Sequence, residues 1–208
     1  MEQSQFFTQL RRLFEQFPGI GPRQANRFIW TLLDLGPESQ KELSNAILDI
    51  SKQMHRCDVC MRVFPSQATS TTCSFCAPKS NRDKNKIMVL EHDSDLLNVE
   101  KTKLYSGLYH VLGGALDPMD EHGVVRERIK KLYERLEKKN SNIEIIFALS
   151  PTKLGEFTAQ YVQKVLEPLL GGSTPKLKIT HLARGLATGV ELEYADEVTL
   201  RQALDNRK

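Results

Sequence analysis

At 208 residues, 40% hydrophobic and 26% charged, the chain has the composition of a folded protein, larger than one average domain and smaller than two large ones. Wholesale disorder is excluded, and one main core with smaller modules is expected. The net charge of +3 is uneven: residues 1–86 carry 12 Lys and Arg against 8 Asp and Glu, while residues 87–208 carry 17 against 18, which makes the front the basic half.

No apolar run approaches the roughly 18 residues of a membrane span, and the start, Met1-Glu-Gln-Ser-Gln-Phe6, lacks a signal peptide's basic and apolar regions. Four cysteines in two close pairs are too few for a secreted disulfide framework. The expected location is the cytoplasm.

Phe6, Phe7, Leu10, Leu13, Phe14 and Phe17 recur at helical spacing and predict an amphipathic helix over about residues 4–17, stopped by Pro18-Gly19. A second helix opens at Pro22, presents Ala25, Phe28, Ile29, Leu32 and Leu33 on one face, packs Trp30, and closes at Gly36-Pro37. A third, from Glu38 to about Met54, should turn Leu43, Ile47, Ile50 and Met54 inward. The polar stretch 66–72 between the cysteine pairs reads as a loop or short ribbon rather than core.

From Lys86 strands and helices alternate: a strand over Ile87–Leu90, a helix near Leu96–Leu104, a strand over Leu108–Leu112, a charged helix near Val124–Lys138, and a strand over Ile143–Leu149. A helix around Glu156–Leu169, a strand over Leu177–Leu182 and a terminal segment near Glu197–Leu204 follow. The apolar strand runs predict an α/β layer with its sheet covered on both faces. The basic run Arg126–Lys139 is read as a solvated helix face.

Cys57-x-x-Cys60 and Cys73-x-x-Cys76 form two knuckle-like pairs that can aim four thiolates at one tetrahedral centre, a geometry that suits zinc. Redox CxxC motifs normally come singly at a helix start, so a redox pair or four unrelated thiols fits less well. Without a suggested open position or neighbouring base the ion reads as structural, one per chain, with His55 an unnecessary extra ligand.

Phe17-Pro18-Gly19-Ile20-Gly21-Pro22-Arg23 lies between two amphipathic helices. Its glycines allow a tight hairpin and close approach of backbone amides to a phosphate, and the helix dipole favours an anion there. Arg23 and Arg27 share a helix face, and Arg11 and Arg12 add charge. A helix-hairpin-helix anchored by Ile20 and binding nucleic acid without base readout is the sharp reading, and a plain helical turn is the bland one.

Glu91 follows the strand over Ile87–Leu90, and Glu156 follows Ser150-Pro-Thr-Lys-Leu-Gly155 at another strand end, where α/β proteins build sites. Two acids are a sparse magnesium set, and Asp93 and Asp95 read better as the start of a helix.

The Phe-Pro-Gly-Ile-Gly-Pro-Arg string, the cysteine pairs, Tyr105-Ser-Gly-Leu-Tyr-His-Val-Leu-Gly-Gly-Ala-Leu-Asp-Pro-Met-Asp120 and Gly189-Val-Glu-Leu-Glu-Tyr-Ala-Asp-Glu-Val-Thr-Leu200 together resemble the bacterial RecR family of recombination mediators, over essentially the whole chain. The resemblance implies an α+β multi-module protein: a helix-hairpin-helix DNA-binding and oligomerisation region over residues 1–54, a four-Cys zinc finger over 55–80, a Toprim domain over 86–182, and a C-terminal segment for subunit contacts over 183–208. It further implies homodimers or ring tetramers and a nucleoid-associated, non-catalytic role with RecO, and in some settings RecF, in loading RecA onto gapped DNA coated by single-strand-binding protein. The implied DNA-binding residues are Gly19, Ile20, Gly21, Arg23, Arg27 and Arg11, with Glu91 and Glu156 facing a RecO-type partner.

Two departures accompany the resemblance. Catalytic Toprim enzymes carry Asp-Pro-Asp-Arg-Glu-Gly-Glu where this chain has Ser150-Pro-Thr-Lys-Leu-Gly-Glu156, and RecR proteins usually retain Glu-Gly-Glu, so Leu154 replaces an acid. A magnesium-dependent nuclease or topoisomerase-like activity using Glu91 and Glu156 is the lesser alternative. Near the end, Gly185-Leu-Ala-Thr-Gly-Val-Glu-Leu-Glu193 replaces a family proline and glycine, and Val190 disfavours the positive φ a glycine allows.

Overall fold

The computed structural model describes residues 4–66, 70–139, 141–170, 177–182, 186, 189, 191–195 and 197–205. The chain divides into two units, Met1–Met54 and His55–Lys208.

In the first unit, α1 (Gln5–Phe14) packs on α2 (Pro22–Gln53) through aromatic rings, Phe7 on Trp30 at 5.2 Å and Phe14 on Phe28 at 5.5 Å between centroids. Gly36, with φ of 79°, breaks α2 just before Pro37, so the expected boundary between second and third helices is present as a kink. Among the described residues of α1 and α2 only Ala25 and Ile29 are buried. One expectation needs correction. Trp30 packs on Phe7 while remaining 53% exposed, but the stripe Leu43, Ile47, Ile50 and Met54 faces outward, Ile47 and Ile50 being more than 60% exposed. Helical period identifies an apolar face without saying what covers it.

The second unit opens with a two-stranded ribbon, β1 (Met54–Arg56) paired with β2 (Val63–Pro65), and continues with a four-stranded sheet. Its strands, β3 (Asp83–Leu90), β4 (Gly107–Val111), β5 (Ile143–Ala148) and β6 (Leu177–His181), are all parallel in the order β4-β3-β5-β6. Three helices cross between them: α3 (Asp93–Thr102), α4 (Val124–Glu137) and α5 (Lys153–Leu170). The predicted alternation therefore holds in order and type, which the crossover rule for parallel strands requires. A 3-10 turn (Leu192–Tyr194) and α6 (Glu197–Asp205) follow. Gly189 has φ of 87°, whereas Val190 and the loop change it marks lie outside the described residues.

The register sets Ile87 opposite Leu108 on one side and Ile145 on the other. One sheet face buries Ile87, Val89 and Ile145 under Ile129, Leu132 and Leu136 of α4 and Val162 and Leu166 of α5. The other buries Met88, Leu90, Tyr109 and Val111 with Leu96 of α3. Each such aliphatic side chain contributes roughly 1.5–3 kcal/mol by leaving water. Coverage is uneven across the sheet: every residue of the edge strand β4 and the last four of β3 are buried, β5 alternates buried and half-buried, and the opposite edge strand β6 is half-buried to exposed.

The basic run of α4 is not simply a solvated face. Arg135 Nη1 donates to the Tyr109 carbonyl at 2.7 Å, Arg126 lies 4.9 Å over the Tyr161 ring, and Arg128 is half-buried with one guanidinium nitrogen lacking an acceptor. Long cationic side chains lay their stems on apolar surface and carry the charge to an acceptor or ring edge.

His110 of β4 is fully buried, with Nε2 2.9 Å from the Arg128 carbonyl. Burial, then the charge of Arg135, depresses its pKa to about 3 from an ordinary 6.5. Between those values the unfolded chain takes up a proton that the folded one refuses. The stabilising contribution is therefore complete above 6.5 and drains as pH falls toward 3, by at most about 1.4 kcal/mol per pH unit. Denaturant titrations between about pH 7 and about pH 4 should show this slope, and His110→Gln should flatten it; equal slopes in both proteins would contradict the assignment.

Candidate functional site

Cys57, Cys60, Cys73 and Cys76 converge, all four Sγ atoms lying within 4.8 Å of one another. The first knuckle closes through Met61 N–H to Cys57 carbonyl at 3.0 Å and Cys57 N–H to Arg62 carbonyl at 2.9 Å. This places buried Met61 at φ of 62°, a conformation a side chain adopts only where surroundings enforce it. The second knuckle is a turn in which Cys76 and Ala77 N–H groups both donate to the Cys73 carbonyl at 3.0 Å.

The donor set fits a thiophilic divalent ion. Three of the sulfurs are buried, Cys73 N–H donates to Cys57 Sγ at 3.4 Å, and Cys60 and Cys73 Sγ lie 3.5 Å apart. Hydrogen bonds from Cys60, Cys73 and Cys76 hold the Cys57 thiol far below its ordinary range, while those with Cys57, Cys73 and Cys76 drive Cys60 far above. A bound cation would let all four ionise together. Arg62 Nη1 is buried without an acceptor two residues after Cys60, an orphan donor that a charged centre suits. His55 is exposed and stands outside the cluster.

The cysteine segment is fastened to the α/β layer. Val111 N–H donates to the Cys60 carbonyl at 2.9 Å, Val63 N–H donates to Asp93 Oδ1 at 2.8 Å, and Arg56 pairs with the same carboxylate at 3.5 Å. Phe75, between the last two cysteines, packs on Tyr109 at 5.9 Å with the guanidinium groups of Arg82 and Arg62 at 3.8 and 4.2 Å from its ring centroid. Arg82 is paired with Glu100, which also accepts from the Tyr109 hydroxyl. Sequence reasoning missed Phe75 and this use of Asp93, because contacts between segments leave no periodic trace. It did place Asp93 and Asp95 in the first turn of α3, where Asp95 Oδ2 accepts from His92 N–H at 2.8 Å.

At the carboxyl ends of β5 and β6 lies a cleft of about 370 Å3 lined by Ser150, Pro151, Gly155, Glu156 and His181. Glu156 is exposed on its rim. Glu91 is 6% exposed, its two oxygens accepting from Ser150 N–H at 2.9 Å and Ser150 Oγ at 2.7 Å. Glu91 is thus turned inward, its carboxylate holding the turn from β5 into α5. A Cβ at Gly155 would sit 2.0 Å from the Ser150 carbonyl and 3.0 Å from Glu91 Oε1. Among the described residues, the four cysteines are the only group of three or more His, Cys, Asp or Glu positioned to share a metal ion.

In the other unit, Gly19 has φ of 78° and Ile20 N–H closes the turn on the Phe17 carbonyl at 3.1 Å. Gly21 caps α2, Pro22 takes its first position, and a Cβ on Gly19 or Gly21 would meet nothing within 4 Å. The glycines thus leave open space around the start of α2. Arg23 and Arg27 are exposed, Ile20 is half-buried, and Arg11 pairs with Glu15 at 3.5 Å, so its charge is partly matched while Arg12 is exposed.

The profile of the Toprim domain matches residues 85–183, and that of the RecR C-terminal region matches residues 185–208. Recombination protein RecR of Staphylococcus aureus strain MRSA252 is 37% identical over 201 residues, covering 96% of this chain and 95% of that protein. The chain belongs to the RecR family. The RecR of Bifidobacterium longum subsp. infantis is 39% identical over 202 residues, and that of Lactobacillus acidophilus 36% over 194, each covering more than nine-tenths of both chains. The RecR fold is an α+β assembly of N-terminal helices, a four-cysteine cluster able to hold a metal ion, and a Toprim layer.

Cys57→Ser should abolish stoichiometric metal retention and cost more than about 3 kcal/mol of stability, as loss of a structural metal does. Unchanged metal content in that variant would contradict the four-thiolate centre. Gly155→Ala should cost roughly 1–3 kcal/mol in denaturant titrations, because the added methyl strikes backbone; a neutral result would mean the Ser150 turn relaxes freely.

Proposed function

We propose that the chain is a non-catalytic mediator of DNA recombination and repair, gripping DNA backbone through its helical hairpin and presenting its Toprim surface to a partner. Membership of the RecR family over nearly the whole chain supports this reading. The observation that carries the DNA assignment is the open start of α2: Gly19 and Gly21 leave the backbone there open to close approach, with Arg23 and Arg27 exposed one turn apart beside it. Arg11, held by Glu15, adds at most a partial charge.

Such a hairpin makes few phosphate contacts, so several on one assembly multiply effective concentration. The outward apolar stripe of α2 is a surface through which copies of the chain associate as dimers or rings. Cys57, Cys60, Cys73 and Cys76 hold one zinc ion, the ion best suited to a closed four-thiolate site, with a structural role.

The reading extends to work with RecO, and in some settings RecF, in loading RecA onto gapped DNA coated by single-strand-binding protein in the bacterial cytoplasm. Glu156 and the Ser150–Gly155 turn offer a partner a firm surface, and Glu91 supports that surface from beneath. A magnesium-dependent strand-cleaving reading is disfavoured because Glu91 is committed to Ser150 and position 154 is leucine.

DNA binding should fall steeply with salt and rise with assembly, measured by anisotropy against salt with light scattering, with and without a RecO-type protein. Arg23→Glu with Arg27→Glu should weaken binding at least tenfold and reduce the log–log salt slope by about 2. Unchanged affinity and slope would reject the hairpin as the DNA contact.

A further inference from the structure

Between α4 and α5 lies a groove of about 370 Å3. Its lining combines an apolar base of Ile129 and Val165 with two rings, Tyr133 and Tyr161, and two cations, Arg126 and Lys130, and holds no acid among the described residues. Arg126, Lys130 and Tyr133 follow one another by four and three residues and so share one face of α4, as Tyr161 and Val165 share one of α5.

The positive charge is fixed there without being neutralised. Arg126 donates from Nε to the Asp120 carbonyl at 2.7 Å and from Nη2 to the Pro118 carbonyl at 3.5 Å, and its guanidinium lies 4.9 Å over the Tyr161 ring. All three partners are neutral, so the whole charge remains. Lys130 is exposed and pairs with no acid among the described residues, whereas the neighbouring Lys131 is taken by Glu127 at 3.4 Å. Both tyrosines are half-buried, and neither hydroxyl has a hydrogen-bond partner among the described residues.

Rings beside unpaired cations suit a chain of flat bases joined by anions. Nucleic acid supplies both at every repeat, whereas a peptide would need a particular acidic and aromatic sequence. Only a base free of a duplex partner can turn its face to a ring set between two helices. The positive stretch is also short, because Asp120 stands at the Arg126 end and Glu137 follows Tyr133 by about one turn. It suits a base with its adjoining phosphates rather than a long track.

We propose that the groove between α4 and α5 is a second nucleic-acid contact, which takes an unpaired base against Tyr133 and Tyr161 and its phosphates on Arg126 and Lys130, and so favours single strands. The proposal rests on the DNA-binding reading above and adds to it a contact within the second unit.

The test is anisotropy of a short labelled oligothymidylate, alone and as a duplex with oligoadenylate, on the full-length protein, with photo-crosslinking of an iododeoxyuridine form to locate the contact. Crosslinks should map to the peptides carrying Tyr133 or Tyr161. Tyr133→Ala should weaken single-strand binding about fivefold or more, leave duplex binding unchanged, and be rescued by Tyr133→Phe, which keeps the ring. Lys130→Gln should lower the single-strand log–log salt slope by about 0.7. Wild type failing to bind either form at low salt would reject the DNA reading and the proposal together. Binding that depends on Arg23 and Arg27 but is unchanged by Tyr133→Ala, or crosslinks confined to the first unit, would overturn the proposal alone. Equal loss on single strand and duplex would overturn it too, as would a poly(Glu,Tyr) copolymer whose binding needs Lys130 while oligonucleotide binding does not, since the groove would then belong to an acidic peptide. If Tyr133→Ala does not fold, Lys130→Gln at an exposed position and the crosslinked peptides decide, an unchanged slope or crosslinks elsewhere counting against.

Discussion

Strand β3 is hydrogen-bonded on both edges and packed on both faces, and the rest of the second unit is placed by it. Its register with β4 and β5 is the only one that keeps Ile87 and Val89 under α4 and α5 while Met88 and Leu90 meet α3, since a slip of one residue would exchange the two faces. Directly after the strand comes Glu91, whose carboxylate is delivered to Ser150 just past the end of β5. A residue that looks catalytic by position is thus used to join two strand ends.

From β3 the order passes to β4, which no described strand pairs on its outer side. The cysteine segment approaches that edge at Val111, and Phe75 packs against Tyr109. A module whose buried residues are chiefly its own cysteines and Phe64 gains a hydrophobic neighbour, and an exposed strand edge is partly covered. The ion pair of Arg82 with Glu100, capped by the Tyr109 hydroxyl, ties the segment after the last cysteine to α3. Small modules need such ties because they cannot bury enough surface alone.

The parts legible in the sequence were those whose cause is local. The CxxC pairs were readable because knuckle spacing is set by ligand geometry, and β3, β4 and β5 because buried parallel strands are apolar runs. β3 nevertheless begins at Asp83, four residues before Ile87, because Asp83-Lys84-Asn85-Lys86 carries no apolar period to announce a strand. The helical stripe of α2 is legible as a face but not as an exposed one, since periodicity reports a face and burial depends on what meets it. Glu91, Phe75 and Arg135 draw their roles from chain segments far away in sequence, where no pattern of spacing reaches.

Positions 154 and 155 obey opposite rules. Leu154 is 51% exposed, so its side chain can change without disturbing the fold, whereas Gly155 is confined between the Ser150 carbonyl and Glu91 and admits no side chain at all. The turn is therefore a rigid mould with a replaceable label. The side chain at position 154 can change while the contour stays the same, so the chemistry of this surface is free to vary on a shape that the backbone itself preserves.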